Sequence, residues 1–529
     1  MSTQLLVGGR IYSSFAPDAT AMAVTDGTVV WVGEDRPGLA LHPGAEIVQL
    51  DGSFVAPAFV DTHVHTTATG LALIGLDLSS ARSLGECLEA VSAYAAKETG
   101  ALVWGQNWDE SGWPEGRGPT TSELDAAAPG RAIYLSRVDA HSAACSTVLR
   151  RVAGDDVLGG DPQRPLIAEA HHAARHAALE LLSPAGRHRA RVAALDHAAA
   201  HGVVAVHECA GPDISGRADL AELLAVDHGV EVRGYWGEAV TTPEAAQELL
   251  EVTGAHALGG DLFVDGSIGS HTAWLREPYT DHDGCGRSYL DADAIALHLS
   301  ACTRAGIQAG FHVIGDAATE AVVDALGRVV DELGGPAVAS RGHRLEHIEM
   351  VTTEQAAQLA AWGVMASVQP VFDAYWGGES GLYRTRLGLD RARALNPLSM
   401  MASAGVSLAI GSDSPVTPLE PWQGIRAAVS HRTAGSAISP RAAFSAATRG
   451  AWRAGGVRDG LAGTLVPGSP ASYAIWDAGE LVVSAPSDTV QRWSTDPRSR
   501  VPALPRLDSD APDPRCLQTV HRGATVFHA

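Results

Sequence analysis

Eight short apolar runs, each followed by an alanine-rich stretch of helical texture, set what this chain can become. They are Ala58-Phe59-Val60, Val203-Val204-Ala205-Val206, Glu231-Val232-Arg233-Gly234-Tyr235, Leu262-Phe263-Val264, Ile307-Gln308-Ala309-Gly310-Phe311, His343-Arg344-Leu345, Val364-Met365-Ala366-Ser367-Val368 and Val406-Ser407-Leu408-Ala409-Ile410. Continuous apolar strands alternating with helices build a parallel sheet covered on both faces. Eight such units predict an α/β chain with a (β/α)8 barrel of the TIM type over residues 57–454. The stretch at about 70–200 is too long for one crossover helix. It is expected to be an insertion covering the barrel mouth, with its own elements at Leu102-Val103-Trp104-Gly105 and Ala132-Ile133-Tyr134-Leu135. Residues 5–50 hold short β-rich pieces with a hairpin turn at Asp26-Gly27. The β texture returns after Gly455, in Tyr473-Ala474-Ile475-Trp476 and in a strand expected over 519–527. Residues 1–56 and 455–529 are therefore expected to join as a small composite β-sandwich. The segment 496–514, rich in Pro, Asp and Arg, reads as a surface loop or linker.

With 529 residues, 46% of them apolar, the chain can bury a large core. Its 38 basic and 61 acidic side chains leave a net charge of −23, which argues against nucleic acid. No apolar run approaches the ~18 residues of a membrane span. The opening Met1-Ser2-Thr3-Gln4-Leu5-Leu6 lacks a secretory signal pattern. The six cysteines are scattered without a C-x-x-C, as in a protein of reduced thiols. A cytoplasmic location is expected. The partner expected is a small-molecule substrate, with neither nucleic acid nor membrane; a homodimer is compatible with the sequence.

Polar residues fall at the ends of the runs. The first ends Asp61-Thr62-His63-Val64-His65, and strand alternation points both imidazoles to one side. With 22 His in the chain, an H-x-H arises by chance about once, so position carries the inference. Barrel enzymes keep their chemistry at these C-terminal strand ends. Four more runs end alike, in Val206-His207-Glu208, Phe311-His312-Val313-Ile314-Gly315-Asp316, Arg344-Leu345-Glu346-His347 and Ile410-Gly411-Ser412-Asp413. Imidazoles with a carboxylate are the usual ligand set for Zn²⁺.

Ala56-Pro57-Ala58-Phe59-Val60-Asp61-Thr62-His63-Val64-His65 resembles the opening motif of the amidohydrolase superfamily. Phe311 to Ala318, Arg344-Leu345-Glu346-His347, Gly411 to Val416, Asp265-Gly266-Ser267-Ile268-Gly269-Ser270 and Trp104-Gly105-Gln106-Asn107-Trp108-Asp109 resemble its YtcJ-like branch, which includes N-substituted formamide deformylase. The resemblance runs from about residue 5 to 480 and implies a metal-dependent barrel carrying a small composite β-sandwich. Three departures stand out. The branch usually has Lys at the start of the fourth strand, where this chain has Asp261. Related enzymes carboxylate such a lysine to bridge two metals, but the one lysine here, Lys97, lies in a helical stretch of the insertion. Asp139-Ala140-His141 is followed by Ser146 where the branch usually has Asn, and its usual A-D segment is Ala471-Ser472.

The function expected is metal-dependent hydrolysis of a non-peptide carbon–nitrogen bond, that of an amide or an N-formyl or N-acyl amine. Metal-activated water attacks, and Asp413 is the general base. His63, His65 and His312 are the leading ligand candidates, with Asp413 and Glu208 beside them. His347 is either a ligand or the group that stabilises the oxyanion. The cofactor expected is one divalent metal, Zn²⁺ first, or two if Glu208 or Asp261 bridges them. Trp104, Asn107, Trp108, Asp265, Ser267 and His271 are the candidate substrate contacts. His171, His172 and His176 read as helix-surface residues, and Asp316 as a helix cap. Two alternatives stand beside this reading. A ring-amidine deaminase needs a Glu soon after His312, where Val313, Ile314, Gly315 and Asp316 follow instead. A non-catalytic binding protein on a decayed barrel would not need to keep Asp413.

Overall fold

A computed structural model describes residues 2–154, 161–483, 501–508 and 510–529. Seven of the eight apolar runs are strands. In chain order these are β1 (Phe59–Val64), β2 (Val203–Ala210), β3 (Glu231–Trp236), β4 (Gly310–Val313), β5 (Arg344–His347), β6 (Met365–Val368) and β7 (Ser407–Ile410). β3-β2-β1 form one parallel sheet and β4-β5-β6-β7 another. β1 and β2 are buried along their whole length, as strands covered on both faces must be.

The fourth run departs from regular geometry. Only single parallel bridges occur there: Ala257 with Tyr235, Leu258 with Ala309, and Phe263 with His312. The cause is Gly259-Gly260. Gly260 has φ +72°, outside extended geometry, and a Cβ on Gly259 would stand 2.5 Å from the Gly310 nitrogen. The chain kinks there and closes tightly on β4. A further parallel bridge joins Val64 to Ser414. The two sheets are thus linked on both flanks.

The described residues of 66–200 fold around their own five-stranded sheet, of order Leu166–Ile167, Ser142–Cys145, Ala132–Arg137, Leu102–Trp108, Leu76–Asp77. The helix Thr66–Ile74 leaves β1 directly and lies on the helix Pro184–Ala200. Gly70 makes that contact possible, because any Cβ there would collide with the Ala190 backbone.

Both chain ends build two further sheets. One is Thr28–Gly33, Ala21–Thr25, Thr3–Val7, Glu46–Gln49; the other is Arg10–Ile11, Phe54–Pro57, Tyr473–Asp477, Arg515–His521, Ala524–His528. Leu6, Met22 and Val29 of the first pack with Val55, Ile475 and Val520 of the second. The single strand expected over 519–527 is instead a hairpin, because Arg522 (φ +49°) and Gly523 (φ +83°) turn the chain as a two-residue loop. Residues 496–500 and 509 of the expected linker lie outside the described residues. In its described part Leu504–Pro505 pairs with Leu481–Val482. Phe59 of β1 meets Trp422, Phe444 and Trp476 edge-on at 5.2, 5.6 and 5.8 Å, which ties the C-terminal sheet to the parallel strands. Among the described residues no helix is long and apolar enough to cross a membrane.

Candidate metal centre

At the C-terminal end of β1, alternation sends His63 and His65 to the same side. His63 Nε2 lies 3.3 Å from Asp261 Oδ1 and 3.5 Å from Asp413 Oδ1. His65 Nε2 lies 3.3 Å from Asp261 Oδ2 and 3.2 Å from Asp413 Oδ1. Asp413 follows β7 with φ +57°, and its amide donates to His63 O at 2.7 Å. His347 ends β5 with φ +69°. Two side chains in the left-handed region at one centre mark backbone held under strain to aim them.

Ligand atoms of His63, Asp261 and His347 lie within 4.8 Å of one another, as do those of His63, His65 and Asp413. His63 Nε2, Asp261 Oδ1 and Asp413 Oδ1 are buried and hydrogen-bonded to nothing. A buried polar atom left unpaired costs about 1–3 kcal/mol. Three converging on one point, all good donors to a divalent cation, fit a metal. Burial opposes a charge on His65, but Asp261 and Asp413 beside it push its pKa up to about 9. A cation would take the place of that proton.

A second ring of side chains aims the first. His63 Nδ1 meets Glu346 Oε2 at 3.0 Å. Glu346 is gripped by Arg344, Nε to Oε1 at 2.6 Å and Nη2 to Oε2 at 2.9 Å. Arg344 also donates to Thr62 O, meets His207 Nδ1 at 2.8 Å and lies 4.4 Å over the Tyr235 ring. His347 Nδ1 meets Gln369 Oε1 at 2.8 Å. With Nδ1–H donated outward, His63 and His347 both present an Nε2 lone pair inward. Glu346→Gln is therefore expected to weaken metal affinity about 10- to 100-fold while the chain stays folded, measured by competition with a metal-binding dye.

The other candidates are dispersed. The His312 ring, on β4, is 4.5 Å from that of His347, and its Nδ1, 3.7 Å from Asp265, has no hydrogen bond. Glu208 lines the cavity but accepts from Thr66 N at 2.7 Å, away from the converging ligand atoms. Asp265 accepts from the amides of Trp274, Ile314 and Gly315 and braces that turn. Ser267 lines the cavity and donates to Asp139 at 2.8 Å. Trp104 and Asn107 also line it. Trp108 does not: it sits in the insertion core with Nε1 on Leu135 O. His271 pairs with Asp281 at 3.0 Å, outside the cavity. His171 is no surface residue; it is buried with Tyr134 Oη at 2.9 Å, because its helix turns that face toward the insertion sheet. His172 stacks on Phe263 and His176 is exposed. Among the described residues the three form no metal group. Asp316 opens its helix and accepts from Arg276 N. Lys97 is exposed at the end of the helix Leu84–Lys97, away from the cavity.

The centre opens on a cavity with two lobes. One is walled by the insertion through Trp104, Tyr134 and Arg175. The other, smaller, is walled by Phe372, Trp376, Leu382 and Tyr383. His141, His312, His347 and Asp413 border both. The aromatic wall and Gln369 carried no sequence signal, because they sit on short elements after β6 without spacing of their own.

The sequence pattern described as "Amidohydrolase family" matches residues 46–527. The putative amidohydrolase YtcJ of Bacillus subtilis is 26% identical over 452 residues, covering 80% of this chain and 82% of that one. The N-substituted formamide deformylase of Arthrobacter pascens is 26% identical over 466 residues, covering 81% and 83%. The crystal structure of an uncharacterized metal-dependent hydrolase from Pyrococcus furiosus is 26% identical, with a TM-score of 0.69 over 89% of this chain and 98% of that one.

Proposed function

The chain belongs to the amidohydrolase family, and from that premise we propose that it hydrolyses a non-peptide carbon–nitrogen bond, that of an amide or an N-formyl or N-acyl amine, with a divalent metal, Zn²⁺ first. The scaffold we propose is a (β/α)8 barrel over 57–454 under an insertion, with a composite sandwich from both chain ends. The parallel bridges on either flank of the two core sheets support closure. One observation carries the functional reading: His63 Nε2, Asp261 Oδ1 and Asp413 Oδ1 converge unpaired at the cavity floor.

Bound there, a divalent metal would acidify water and polarise a carbonyl. His63, His65, Asp261 and Asp413 would hold it. His347 would join as a ligand, since its Nδ1–H is committed to Gln369. His312, beside His347, would complete a second position if Asp261 bridges two metals. Asp413 takes the proton of the attacking water and passes it to the leaving nitrogen. The lobes on either side of Asp413 seat the two halves of the substrate. Asp316, the one carboxylate soon after His312, is turned to the Arg276 amide and lines neither lobe, which disfavours the deaminase reading.

Metal-loaded protein offered a panel of N-formyl and N-acyl amines beside ring amidines is expected to release amine from the first group, read by primary-amine detection. Release of ammonia from the ring amidines alone would transfer the assignment to a deaminase.

A further inference from the structure

Arg175 has no task in the mechanism above. It projects from the helix Ala168–Leu181 of the insertion, is half-buried, and lines the larger lobe. Its Nη2 donates to Ala140 O at 2.8 Å and lies 3.4 Å from the ring nitrogens of His171. A guanidinium carries five N–H donors, and among the described residues no carboxylate pairs with this one. Asp213 feels its charge only at longer range. Arg137, the other cation on this lobe, is by contrast bracketed by Asp109, Glu110 and Asp139 at 3.3, 2.9 and 3.0 Å. The imidazoles around Arg175 add no charge: burial, then Arg175 itself, hold His171 well below its usual pKa and His172 at about 3. The Ser215 hydroxyl, on the same lobe, is buried without a partner.

The opposite end of the cavity is anionic. Asp261 and Asp413 stand there, and two positive charges on a metal would only cancel them. Glu208 is engaged there by the Thr66 amide. With a metal bound the floor is thus near neutral, and an anionic group is drawn to the uncompensated guanidinium at the insertion wall. The smaller lobe offers aromatic and aliphatic surface instead.

We propose that the substrate is an amide bearing a carboxylate, that Arg175 binds this carboxylate, and that the apolar part of the substrate fills the lobe of Phe372, Trp376, Leu382 and Tyr383. This deepens, and rests on, the amide-hydrolase reading. Hydrolysis adds one water across the carbon–nitrogen bond and releases a carboxylic acid and an amine, with no redox partner.

The test is calorimetric binding to the metal-loaded full chain in an Asp413→Asn background, with N-benzoylglycine and its neutral counterpart N-ethylbenzamide as probes. Adding Arg175→Met is expected to weaken N-benzoylglycine about 10- to 100-fold and N-ethylbenzamide less than about threefold, because only the first loses charge-assisted hydrogen bonds. Arg175→Lys, which keeps the charge without the fork, falls between. Equal N-benzoylglycine affinity with and without Arg175, or no binding to the parent, would overturn the assignment. Arg175-dependent binding in a protein whose wild type hydrolyses no amide would instead sink the hydrolase reading and leave the carboxylate site standing.

Discussion

Asp413→Asn is expected to fold, to keep metal, and to lose about 10³- to 10⁴-fold in kcat, near the upper end for loss of a positioned proton acceptor. The carboxylate is 94% buried, and its Oδ1 has no hydrogen bond although two imidazole nitrogens lie within 3.5 Å. An amide of the same shape keeps the backbone bond to His63 O and one ligand oxygen but cannot accept a proton at neutral pH. Steady-state turnover alongside metal analysis checks this. Activity within tenfold of wild type would remove Asp413 from proton transfer.

His63→Ala is expected to abolish stoichiometric metal binding and, with it, activity. His63 belongs to all three groupings of ligand atoms among the described residues, the third being with Cys209 and Glu346, so its loss breaks each of them. It would also leave Glu346, fully buried, without its imidazole partner, though Arg344 still compensates its charge. His312→Ala is expected to lower metal content less, because its nitrogens belong to none of them. Elemental analysis of the dialysed proteins distinguishes the two. Full occupancy in His63→Ala would place the metal elsewhere.

The centre was legible in the sequence where a local rule fixed side-chain direction. Strand alternation is such a rule for His63 and His65, and a strand end is one for His347 and Asp413. Asp261 was visible only as a departure, an acid where a lysine is usual, and its place between the two imidazoles depends on the Gly259-Gly260 kink. No local pattern reports such a kink. Glu346 follows a strand rule as well, but alternation alone does not reveal that Arg344, two residues earlier, holds it from the same face. Trp108 and His271 lie in or beside motifs of which some members line the cavity, yet one is core and the other pairs with Asp281. Motif membership does not state which way a loop side chain turns. His171 shows the same limit for helices: His-His-x-x-x-His spacing gives the shared faces but not which face the insertion sheet covers. In the fold, seven of the eight runs became strands although some carry charged residues, such as Glu231 and Arg233, whereas the wholly apolar Leu262-Phe263-Val264 did not, and the Arg522-Gly523 turn hides inside a run of strand-forming residues.

Asp261 is expected to do the work of the missing lysine. Lys97, exposed on the insertion, cannot reach the centre. Metal content per chain, measured by mass spectrometry on wild type, Asp261→Asn, Glu208→Gln and Lys97→Arg purified alike, tests this most directly. A clear drop is expected in Asp261→Asn, from two toward one or from one toward none, with Lys97→Arg unchanged in metal and indifferent to bicarbonate. Glu208, engaged by the Thr66 amide, should leave the content unaltered. Full metal in Asp261→Asn, or a folded but metal-poor and inactive Lys97→Arg, would contradict it.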